Sequence, residues 1–184
     1  DRSDRIPAAP RRQRPDPGSG VTGKSQTEGL VMKETFAFTF LMAGLTGAIV
    51  SAIALMALGQ FLAGSPLAAL NATAHWLYGP DAISQSGFSF RVTGVGILTH
   101  ILACLFWGAV FTALLLVMRV NETFLVWLYG LLVSMVALII DYGLLPEQLS
   151  PGWHLVLPIK AVLAGFIALG VGLAQGVTLA RSRA

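Results

Sequence analysis

Four apolar stretches run from about Phe36 to Ala63, Val92 to Met118, Thr123 to Ile140 and Pro158 to Ala180, and Lys160 is the only charge inside them. A bilayer core about 30 Å thick takes roughly 20 apolar residues of α-helix to cross. Each stretch is near or above that length. The backbone of such a segment must satisfy its own hydrogen bonds once water is gone, which leaves the helix as its form here. The expected fold is an all-α membrane protein, an antiparallel bundle of four transmembrane helices.

Composition sharpens this. Hydrophobic residues make up 55% of the 184 and charged residues 11%, against about 25% charged in a soluble domain. The lipid bilayer is therefore the solvent that this much apolar surface requires. Six of the twelve Lys and Arg residues fall in the first 31 positions: Arg2, Arg5, Arg11, Arg12, Arg14 and Lys24. That segment is rich in Pro, Gly and Ser and has nothing to build a core, so residues 1–31 read as a disordered basic leader. It lacks the apolar h-region of a signal peptide. Met32-Lys33-Glu34-Thr35, followed at once by an apolar helix, reads as a start, so the leader is native or foreign to the four-helix domain of residues 32–184. The arginines have no folded basic face with aromatic platforms, and nucleic acid is not an expected partner.

Lys and Arg in short loops set orientation. Lys33 precedes the first span, Arg119 sits in the turn between the second and third, and Arg181 and Arg183 follow the fourth. The loops Gly64–Arg91 and Asp141–Leu157 hold one arginine between them. Both termini are thus expected in the cytoplasm and both long loops outside. In the first loop, Ser65-Pro66 is a helix start and Gly79-Pro80 a stop. Between them Leu67, Leu70, Ala74 and Leu77 share one helical face, and Asn71, His75 and Tyr78 another. This predicts a short amphipathic helix in the outer interface, anchored by Trp76.

The segment NATAHWLYG (Asn71 to Gly79), His100 followed by Phe106-Trp107, and DYGLLPEQLSPGW (Asp141 to Trp153) together resemble small bacterial four-span membrane proteins of unknown function. The resemblance covers about Met32 to Arg183. It implies the fold and a bacterial inner-membrane location, and no chemistry.

Ionisable residues collect on the outer side. His100 lies about seven residues into the second span, roughly 10 Å deep at 1.5 Å per residue. Asp141 ends the third span and Lys160 opens the fourth. One reading makes these a polar site, with Asp141 paired to Lys160, His100 below them, and Asn71 and His75 as a lid; intramembrane ionisable groups are costly and often functional. The other is structural: side chains near span ends snorkel to water, and a neutral His100 donates to a helix carbonyl.

Several chemistries find no support. Cys104 is the only cysteine, which excludes dithiol redox catalysis. No HExxH, P-loop, GxSxG or dinucleotide fingerprint occurs, so no metal, cofactor or catalytic residue is expected, and the chain does not read as an enzyme. Gly94-Val95-Gly96 lacks the third glycine of such a fingerprint and reads as packing. Small residues line the helices, with Gly47 in the first span and Gly172 and Gly176 as a GxxxG in the fourth. Such rows let backbones approach where lipid supplies no hydrophobic drive. They pack the four spans together, or else form a face toward a homo-oligomer or a larger membrane complex. Two functions follow as expectations. One is a non-enzymatic accessory or organising component; the other is a small oligomeric transporter or channel for a proton, ion or small solute.

Overall fold

The computed structural model describes the backbone of residues 19–183 and side chains from residue 36. The chain divides into two compact units, Asp1–Glu34 and Thr35–Ala184. The described residues contain seven α-helices and no strand: α1 (Ser19–Ala63), α2 (Ala68–Ala72), α3 (His75–Tyr78), α4 (Pro80–Ser84), α5 (Phe90–Val117), α6 (Thr123–Ile139) and α7 (Ile159–Arg181). Residues 1–18 of the expected disordered leader lie outside the described residues. From Ser19 the backbone is helical, within the bounds of α1. No proline follows Pro17 in this stretch, and an established apolar helix extends cheaply toward its N-terminus until one does.

Four segments are long and apolar enough to cross a membrane: Phe36–Ala63, Phe90–Val117, Thr123–Leu144 and Ile159–Arg181. The third outlasts its expected end at Ile140 through a π-helical turn, Ile140–Leu144. Leu145, extended ahead of Pro146, stops it. Large apolar side chains such as Ile53, Leu98, Phe106 and Ile139 stand on the surface of these segments, as lipid contact requires.

The fourth segment, α7, is the central one. Over its most apolar stretch 56% of residues are buried, against 28–39% in the others. The cause is its supply of small residues. Gly165, Gly172 and Gly176 form a stripe toward α1, while Gly170 faces α6. A Cβ on Gly172 would stand 2.6 Å from the Gly47 Cα, and one on Gly176 would strike Met42 and Ala43. A Cβ on Gly170 would meet the Ser134 hydroxyl at 2.6 Å and the Gly130 carbonyl at 2.9 Å. The α1–α5 crossing is equally close, since a Cβ on Gly108 would lie 2.7 Å from the Gly44 nitrogen. Backbones here touch, which is how helices associate without a hydrophobic drive between them. Phe111, Phe166, Leu55 and Leu173 fill the remaining interior.

At the opposite end from the long loops, Arg181 closes α7 onto the α5–α6 turn. Its guanidinium donates to the carbonyls of Val120 (2.7 Å) and Asn121 (3.1 Å). Arg119 in that turn adopts a left-handed φ of 52°.

Candidate functional site

The first long loop does not form one amphipathic helix. It folds as three short pieces, α2 to α4, and residues Ala68 to His75 are buried on every side. Ser65 still organises the start by accepting from the Leu67 amide at 3.2 Å, and it donates to the Ser86 carbonyl. Gly79, at φ 55°, ends α3 and allows Pro80 to begin α4. Leu77, on the expected apolar face, is 52% exposed, while Asn71, on the expected polar face, is 0% exposed. The expected polar face went inside because partners wait there, and a polar group that is hydrogen-bonded can be buried.

Asn71 illustrates this. Its amide donates to the carbonyls of Gln85 (2.8 Å) and Gly87 (3.1 Å), and its oxygen accepts from Thr93 at 2.7 Å. Thr93 in turn accepts from the Ser89 amide, and Ser89 caps α5 through the Val92 amide. Asn71 therefore fastens the loop to the start of the second span. Gly96 permits this, for any side chain there would collide with the Leu70 carbonyl.

His75 binds the two long loops together. Its Nδ1 lies 3.0 Å from the Ala72 carbonyl and its Nε2 3.0 Å from the Glu147 carbonyl. Beside it, the Trp153 indole donates to Thr73 at 3.0 Å. Gly152, at φ 75°, leaves no room for a Cβ against Ala72 and His75. Below this cap sits His100, 4% exposed, with Nε2 3.1 Å from the Ser51 hydroxyl and 3.2 Å from the Ala48 carbonyl. Ser51 already donates to Gly47 at 2.7 Å. Nε2 thus carries the proton and donates, which suits a neutral ring. Trp153 lies over it, with ring centroids 5.9 Å apart.

The expected cluster is thus dispersed. His75 and His100 lie above and below the Trp153 layer, Asn71 turns toward α5, and Lys160 is exposed. Asp141 and Lys160 form no ion pair; the one contact at ion-pair distance among the described residues is His154 to Glu147, at 3.8 Å. A lysine at a helix entrance reaches water on its own stem, so it has no need of the carboxylate.

Asp141 instead stands in the π-helical turn between two clefts. One, of about 270 Å³, is formed with Tyr142, Glu147, Ser150 and His154. The other, of about 370 Å³, lies between α5 and the end of the third span, with Trp76, Thr99, Phe106 and Trp107 in its walls. Trp76 is held there by donating to Thr99 at 3.2 Å. Phe106 and Trp107 meet edge to face at 5.2 Å. π-helical turns are rare and concentrate at functional sites. The sequence singled out Asp141 but not the aromatic side chains beside it, although the i, i+7 spacing of Thr99 and Phe106 places both on one helix face.

No family model, no curated protein and no solved structure matches this chain.

Proposed function

We propose that the chain is a bacterial inner-membrane protein of the small four-span kind, with both termini cytoplasmic, acting without catalysis as an accessory or organising component. Its working surface on this reading is the cap and clefts on the loop side. Contacts run in opposite senses along the α1–α5, α1–α7 and α6–α7 pairs: Gly44 with Gly108 and Ala48 with His100, Gly47 with Gly172 and Leu55 with Gly165, Gly130 with Ala174 and Ser134 with Gly170. These support an antiparallel bundle. Arg119, Arg181 and Arg183 beyond the end opposite the long loops support the cytoplasmic assignment.

The observation that carries the accessory reading is the closeness of the spans. Gly108 on Gly44, Gly172 on Gly47 and Gly176 on Ala43 bring backbones together, and such crossings leave little width for a solute path through one chain. They also occupy the GxxxG row within the chain, so association with other proteins falls to the remaining surface. The test is native mass spectrometry of the chain extracted gently from its host membrane, beside flux measurements in proteoliposomes. A stoichiometric complex with a second protein, lost on Trp76→Ala, supports the reading. A bare homo-oligomer with flux abolished by His100→Leu in a folded protein favours the transporter or channel instead.

A further inference from the structure

The geometry points to the larger Asp141 cleft as a binding site for a monocationic amphiphile, a quaternary ammonium head joined to an alkyl chain. The volume of about 370 Å³ falls within the roughly 300–1,000 Å³ of small-molecule sites. Asp141 is the only charged residue in its walls, and it has no ion-pair or hydrogen-bond partner among the described residues. A half-buried carboxylate without a partner favours a cation from outside.

The walls narrow the kind of cation. Ser150 donates to the Glu147 carbonyl and Thr73 to that of Ala69, and Thr99 already accepts from Trp76. A primary ammonium has three protons to place, and beside the carboxylate the walls offer only the hydroxyl oxygens of Thr73, Thr99 and Ser150, two of which already accept from Trp153 and Trp76. A metal ion wants several oxygen ligands, and no group of three His, Cys, Asp or Glu side chains able to hold one occurs among the described residues. A permethylated ammonium has no protons to satisfy and is attracted by aromatic faces, which Trp76, Phe106 and Trp107 supply. A phosphocholine would bring a phosphate for which the walls hold no cation. The rest of the cleft is apolar and runs along α5 from Thr99 to Phe106, a rise of about 10 Å that accommodates an alkyl chain. Phe106, 60% exposed, stands at the lipid side, so the ligand enters from the bilayer.

This inference concerns the chain alone and is independent of whether a partner protein exists. The test is titration of the full chain, in an uncharged maltoside micelle, with octyltrimethylammonium, read by tryptophan fluorescence against protein-free micelles. Saturable binding is expected, with octyl sulfate failing to compete. Asp141→Asn should weaken binding about tenfold or more, equivalent to 1.4 kcal/mol, and Trp76→Leu roughly two- to fivefold. Asp141→Glu should restore most of the affinity. Equal binding to Asp141→Asn, competition by octyl sulfate, or no saturable binding overturns the assignment. Should Asp141→Asn fail to fold, Phe106→Leu decides, and unchanged affinity in that variant also overturns it.

Discussion

Replacing Asn71 by alanine removes three hydrogen bonds at once, of 2.8, 3.1 and 2.7 Å, from a side chain that is 0% exposed. Each contributes about 1 kcal/mol net, so their loss alone costs about 3 kcal/mol. Thr93, also 0% exposed, loses its acceptor, but a threonine hydroxyl in the first turn of a helix can rotate toward a backbone carbonyl. The carbonyls of Gln85 and Gly87 lose their buried donor, and the loop joining α4 to α5 is left with the Ser65 to Ser86 bond as its tether. At roughly 2–4 °C per kcal/mol for a domain of this size, the melting temperature should fall by about 6–12 °C. Asn71→Asp should do worse: it keeps the acceptor for Thr93 but sets a carboxylate against two carbonyl oxygens. Thermal unfolding of the detergent-solubilised protein reads the loss, and hydrogen exchange localises it to residues 85–93. An Asn71→Ala protein within about 1 kcal/mol of the parent, with unchanged exchange there, would refute the view that this residue fastens the loop.

Two other outcomes follow from the same reasoning. Gly108→Ala places a methyl group 2.7–2.9 Å from the backbone of Gly44 and Phe40, and should cost about 1–3 kcal/mol or more by overpacking. Gly94→Ala, in the same helix but with nothing within 4 Å, should be neutral or stabilising by up to about 1 kcal/mol; equal effects in unfolding titrations would show that the crossing is not tight. Orientation can be read by labelling with a membrane-impermeant maleimide, because Cys104 is buried. Phe88→Cys, at a site 70% exposed, should react in intact cells and Ser182→Cys only after lysis, and the reverse pattern would invert the topology.

Span count and position were legible in the sequence because membrane crossing depends on length and composition, which are local. The four segments fall within a few residues of the stretches read from apolar character. Glycine rows were also visible as rows, since spacing on a helix is fixed by its pitch. Their partners were not: nothing in Gly172-xxx-Gly176 says that it meets Ala43 and Gly47 of α1 rather than another chain. The first long loop misled for a related reason. Its alternation of apolar and polar positions described an amphipathic helix only if the polar face stayed outside, and Asn71 and His75 are buried instead. Distant residues, the carbonyls of Gln85, Gly87 and Glu147, decided that Asn71 and His75 are buried. Likewise Asp141 and Lys160 suggested a pair by sign and by end of span. The fold separates them and gives the carboxylate aromatic walls from Trp76 and α5 instead. Solvent and length, which act on each segment alone, were written in the sequence; which polar groups meet depends on how segments far apart in the chain are packed, and only the tertiary structure decides that.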